Sequence, residues 1–152
     1  MCAHGEEDIA QDELLWLLSE CREFLAAHRM LGELAANRGD FELARGHFGH
    51  AYEMGTRVLR DARAEGPLPY RLDENRPWHE AGRGLTWTLL RLGRARRARE
   101  VAQILLKRDA SDPLDVASLL AAIKQGKNAS ALLDEIPVVP VPKHEAETQP
   151  PN

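Results

Sequence analysis

Apolar residues recur at three- and four-residue steps through most of this chain, the spacing of one face of an α-helix. From Asp12 to about Asn37 the stripe is Leu14, Leu15, Leu18, Cys21, Phe24, Leu25, His28, Leu31, Leu34 and Ala35. Asn37 to Asp40 reads as a turn, with Gly39 suited to the left-handed conformation that ends a helix. A second helix is predicted from about Phe41 to about Ala64, carrying Ala44, Phe48, Ala51 and Val58. The stretch EGPLPYRLDENRP then breaks the pattern, because Pro67, Pro69 and Pro77 each oppose helix continuation. A third helix follows from about Trp78 to Leu92, with a turn at Gly93, and a fourth from about Ala95 to Lys107. In DASDP, Ser111 or Asp112 is suited to cap a helix and Pro113 to occupy its first turn. The fifth helix covers about Leu114 to Lys124, and Gly126 turns the chain into a short sixth, about Asn128 to Glu135.

After Ile136 the periodicity stops. PVVPVPKHEAETQPPN holds five prolines and reads as an extended, disordered tail. The pattern therefore divides the chain into a flexible acidic N-terminus (1–11), a helical domain (12–136) and a Pro-rich disordered tail (137–152). The segment Asp12 to Glu23 either lengthens the first helix or forms a separate N-terminal cap.

Composition agrees with an ordinary helical globular protein. Hydrophobic residues make up 43% and charged residues 29%, with few β-branched residues before the C-terminus. A chain of 152 residues buries roughly 70% of its extended surface without disulfides or metal. Two cysteines, Cys2 and Cys21, are too few for a disulfide framework, so a cytoplasmic location is expected. The N-terminus is acidic where a secretory signal is basic, and no apolar run is long enough to span a membrane. Charge is unevenly spread. Residues 1–20 carry six acids and no Lys or Arg, whereas residues 83–108 carry eight bases against Glu100 alone. Such halves suit contact within one molecule or between two copies.

The turn glycines Gly39, Gly93 and Gly126 lie 54 and 33 residues apart. The second spacing is close to the period of about 34 that marks tetratricopeptide arrays, and the first exceeds it by about the size of the Met54–Asn75 interruption. Residues 25–56 resemble the tetratricopeptide repeat family more specifically. Leu31-Gly32 match its Leu-Gly pair, Gly39-Asp40-Phe41 its turn, and Ala44, Phe48 and Ala51 its second-helix packing positions. His28, Ala35 and Thr56 depart from the family's Trp, Tyr and Pro, and without that proline the second helix runs on into the insertion. A second copy, about 79–112, keeps Leu85, Leu89, Gly93, Ala98, Ala102 and Leu105, with Thr86 for the small glycine. A third, from Pro113, keeps Leu119, Gly126 and Ala131. NRPWHEAGRGLTWTLLRLGRARRA also resembles a phrase in little-characterised relatives of these repeats, and carries no assignable activity. The resemblance implies an all-α helical-hairpin array, a tetratricopeptide-like α-solenoid of about three hairpins. Each hairpin leaves one apolar face for the next to cover.

In that family the first helix of each hairpin lines a concave groove for peptides or partner helices. The resemblance places Arg29, Glu33 and Asn37 there from the first repeat. The second contributes Arg83, Trp87, Leu90 and Arg91, and the third Val116, Leu120 and Lys124. It implies a basic groove with a central aromatic, suited to an acidic protein or peptide segment. Glu33 and Trp87 stand where the family's carboxylate-clamp members have asparagine. The groove is open, or it is covered by the N-terminal segment or the insertion.

Other chemistry is thinly signalled. RLGRARRARE alternates Arg96, Arg97 and Arg99 with Ala95, Ala98 and Val101 and lacks interleaved aromatics, so nucleic-acid binding is not expected. His47 and His50 sit three apart on a helix and read as solvated, His28 as half-buried, and His79 as a capping or packing residue. Tyr70, Leu72 and Trp78 are expected to staple the insertion between hairpins. No nucleophile elbow, phosphate-cradling loop or paired-carboxylate motif is present, so neither an enzyme nor a cofactor is expected. The sequence reads as a protein-interaction module, with a self-associating adaptor or homodimer as the rival and an enzyme without a motif behind both.

Overall fold

The computed structural model describes residues 21–126, 129–143 and 145, and these are all-α, with no strand among them. Residues 21–37 form the described part of α1. After it come α2 (Phe41–Asp61), a 3-10 turn (Asp73–Asn75), α3 (Arg76–Arg91), α4 (Ala95–Arg108), α5 (Val116–Gln125) and α6 (Ala129–Glu135). Consecutive helices pack together, and α3 also touches α5 and α6. Among the described residues no helix is long and apolar enough to cross a membrane. Of the segment expected to extend or cap the first helix, residues 21–23 continue α1, and residues 12–20 lie outside those described. So does the acidic stretch 1–11.

Two turns close in the same way. At the end of α1, Gly39 donates to the Ala36 carbonyl and Asp40 to that of Ala35. At the end of α3, Gly93 donates to Leu90 and Arg94 to Leu89. This pair of bonds needs a left-handed residue, and Gly39 and Gly93 have φ of 79° and 75°. The next helix starts two residues later in both cases. Asp40 caps α2, its side chain accepting from the Leu43 N–H. Asp112 does this for α5, accepting from Val116 at 2.7 Å and Ala117 at 3.0 Å.

Small residues set how closely the helices approach. Phe48 of α2 is fully buried between Gly32 of α1 and Gly84 of α3. A Cβ at these positions would lie 2.8 Å and 2.4 Å from its ring. On α3, Gly82 makes the same kind of room for Leu105 of α4. The contact face of α1 is therefore centred on Leu25, Gly32, Ala35 and Ala36. The expected stripe is only partly right, because Phe24, Leu31 and Leu34 lie on the exposed side. Periodicity marks a band wider than the part that is covered, and Gly32 rather than Leu31 decides where α2 sits.

Helix α3 runs through the centre, with every residue from Pro77 to Leu90 buried. Its polar groups are paired internally. Thr86 and Thr88 donate to the carbonyls of Gly82 and Gly84, and His79 Nε2 lies 2.6 Å from the Leu68 carbonyl. The insertion folds against α3 and the end of α4. Leu68 donates to the Arg108 carbonyl, and Tyr70 N–H to Asp109. Tyr70 and Trp78 are buried as expected of staples, whereas Leu72 is exposed. Thr56, where the resemblance expects proline, accepts the Trp78 indole N–H at 3.1 Å.

The chain does not leave the domain at Ile136. Val138 and Val139 pack against the core, Pro142 is buried, and Lys143 donates to the Pro113 carbonyl. Residues 137–143 and 145 correct the expected boundary, while the rest of the predicted tail lies outside the described residues. Composition alone could not see that the aliphatic residues between these prolines find a surface.

Candidate functional site

A cleft of about 580 Å³ opens between the C-terminal end of α1, the start of α2, the last turn of α3 and residues 133–139. Helix α1 brings Glu33, Ala36 and Asn37 to it, α2 brings Phe41, and α3 brings Trp87 and Arg91. Four of the predicted groove residues (Glu33, Asn37, Trp87 and Arg91) therefore share one cleft. Of the others, Leu90 is buried in the core, Val116 likewise, and Leu120 is partly buried against it. Lys124 is exposed on α5 and lines no part of the cleft.

Each predicted arginine is already engaged within the chain. Arg29 pairs with Glu80, its Nε 2.7 Å from Oε2, and with Glu33 one turn away at 3.2 Å. Glu80 also accepts the Tyr70 hydroxyl at 3.2 Å, tying α1, α3 and the insertion together. Burial raises the pKa of Glu33, with Arg29 acting against the shift and Glu80 adding to it. Arg83 is fully buried. Its Nε donates to the Leu114 carbonyl at 2.9 Å and its Nη1 to the Val138 carbonyl at 3.1 Å. Burial pulls this guanidinium down to about 10, with Asp115 and Asp112 acting the other way. Arg91 pairs with Asp134 and also reaches Ser130. Its guanidinium carbon lies 5.0 Å from the Trp87 ring centroid and 5.5 Å from that of Phe41, which meets Trp87 edge-on.

The segment after α6 forms one wall of this cleft. Trp87 donates its indole N–H to the Ile136 carbonyl at 2.9 Å, one residue pair before the Arg83–Val138 bond. Two donors of α3 thus hold alternate carbonyls of an irregular segment that bends at Ile136, Val138 and Val139, and Leu133 is buried beside them. Phe41, Leu133, Asp134, Ile136 and Val138 were missed as site residues. The signal available was the aliphatic character of IPVVPV, which a solvated tail does not need.

Elsewhere the basic helix is paired across to α2, and His47, expected to be solvated, is half-buried against His28. Arg94 and Arg97 pair with Glu42 and Glu53 of α2, and Arg96 with Glu100. His28 joins His47 and His50 in a cluster, with His28 Nδ1 3.2 Å from His47 Nδ1. Among the described residues no group of three or more His, Cys, Asp or Glu is placed to hold a metal ion. No family model, curated protein or solved structure matches this chain.

Proposed function

We propose that the chain is an array of stacked helical hairpins of the tetratricopeptide kind, acting as a protein-interaction module that takes a peptide segment along α1 and α3. The repeated turn at Gly39 and Gly93 and the Gly32–Phe48 contact support the array. One observation carries the function. Trp87 and Arg83 both donate to main-chain carbonyls of the irregular stretch after α6, contacts that grip a segment independently of its side chains. A random peptide library displayed against the whole chain tests it. Selected peptides are expected to shift the Trp87 indole resonance in a two-dimensional nitrogen–proton spectrum. Peptides that bind while leaving that resonance in place would move the site elsewhere.

A second reading, self-association, is favoured by a different observation. Met30, Leu31, Leu34 and Leu43 are 58%, 44%, 50% and 50% exposed around the α1–α2 turn. Light scattering of the whole chain against concentration separates the two, since a concentration-dependent dimer abolished by Leu31→Ser, Leu34→Ser supports this face. The acidic arm once expected to serve it lies outside the described residues.

A further inference from the structure

We propose that residues 134–139 are a displaceable strap that closes the groove, and that the external ligand copies their chemistry. That ligand is a peptide with a carboxylate for Arg91 at the end of a helical turn, then a bent aliphatic-proline-aliphatic stretch whose carbonyls meet Trp87 and Arg83. This inference rests on the interaction-module reading and names its ligand class.

The occupant supplies the template. Asp134 meets Arg91, the Ile136 carbonyl meets Trp87 Nε1 at 2.9 Å, and the Val138 carbonyl meets Arg83 Nη1 at 3.1 Å. The acidic preference expected of the groove is thus satisfied from within the chain. Proline on both sides of Val138 and Val139 restricts this backbone before it docks, so less conformational entropy is lost on docking.

The same contacts hold the strap weakly. Ile136, Val138 and Val139 are only partly buried, and the Asp134 carboxylate is 68% exposed, where an ion pair contributes little. Covering Arg83 removes a guanidinium from water, a cost that opposes the apolar gain. Lifting the strap frees the Arg83 Nη1 donor, whose Nε stays on the Leu114 carbonyl, together with the Trp87 indole N–H and the Arg91 guanidinium. Because the strap is tethered, it competes at an effective concentration on the order of millimolar. A free peptide of the same sequence binds the intact chain poorly for that reason.

The test is fluorescence anisotropy with a labelled peptide of residues 133–143, titrated with the whole wild-type chain and with an Ile136→Ser, Val139→Ser variant. The variant is expected to bind at least about tenfold more tightly, since the competitor is weakened. An Asp134→Asn peptide is expected to bind up to about fivefold less well, as an exposed ion pair allows. A variant with wild-type circular dichroism and no gain in binding overturns the inference. Should the variant fail to fold, the wild-type chain is titrated to millimolar peptide with the Trp87 indole resonance as readout. A saturable shift supports the strap, and an unmoved resonance overturns it. Display-selected peptides that shift Trp87 while the strap peptide does not bind would remove this inference and leave the module standing. If neither kind of peptide reaches Trp87, both fall.

Discussion

Arg83 on α3 and Val138, beyond the last helix, are joined by a 3.1 Å bond from a guanidinium to a main-chain carbonyl. The bond ties a fully buried cation to a segment whose sequence alone suggests a solvated terminus. The rest of the account follows from it, because the segment after α6 lies against the face of α3 that carries Arg83 and Trp87.

Trp87 tests how much one such bond holds. Trp87→Phe keeps most of the aromatic body against Phe41 and Arg91 but removes the donor to Ile136. A loss of about 0.5–1.5 kcal/mol in urea unfolding is expected. An unchanged midpoint would mean that water replaces the strap at that position.

The glycines of α2 and α3 give opposite predictions for the same substitution. Gly46 faces open space, so Gly46→Ala is expected to stabilise the chain by up to ~1 kcal/mol through helix propensity. At Gly84 an added Cβ would lie 2.4 Å from the Phe48 ring, and Gly84→Ala is expected to cost about 1–3 kcal/mol. Thermal unfolding of the two variants side by side checks the sign of each.

Asp112 holds the start of α5 through two N–H groups while itself at φ 52°. Asp112→Ala loses the cap and leaves a left-handed non-glycine residue, at an expected cost of about 1–2 kcal/mol. Asp112→Asn, which tolerates that backbone and keeps one acceptor, is expected to lose less. Equal losses in the two variants would show that neither the retained acceptor nor the tolerance of that backbone matters at this position.

Acid is expected to weaken the fold. Burial holds His28 below its ordinary 6.5, with His50 and His47 acting in the same direction. Burial also lowers His79, against the pull of the Leu68 carbonyl and Asp109. Each is harder to protonate in the folded chain than in the unfolded one. Their cost is therefore absent above about pH 6.5 and grows as pH falls through that value toward each folded pKa. For Asp109, burial alone would raise the pKa, but bonds from Ser111 and the Tyr70 N–H hold it below its ordinary 3.8. Its contribution survives to lower pH and is lost last. Melting temperatures followed from about pH 8 to about pH 5 should decline in the lower half of that range, and a flat profile would contradict the burial of both histidines.

The helices and their turns were legible because local chemistry specifies them. Gly39 and Gly93 end helices that the apolar period had already outlined, and Asp112 was one of two candidate caps with Ser111, although α5 begins at Val116 and leaves Pro113 outside it. The site was half legible. Glu33, Asn37, Trp87 and Arg91 come to one cleft, because the four-residue spacing within each pair keeps both members on one side of their helix. What they meet there was not legible. The pairing of Arg29 with Glu80, and of Arg83 with the carbonyls of Leu114 and Val138, spans 31 to 55 residues and depends on which backbone arrives beside α3. Proline content suggested a tail because proline excludes helix, yet it leaves a non-helical segment free to dock its aliphatic neighbours.

The central claim is that the groove is closed in the free chain, and hydrogen exchange of the Trp87 indole N–H tests it most directly. With its donor on the Ile136 carbonyl, this proton is expected to exchange far more slowly than a solvated indole, and to speed up in the Ile136→Ser, Val139→Ser variant. A Trp87 indole that exchanges at the solvated rate in the wild-type chain would contradict the account.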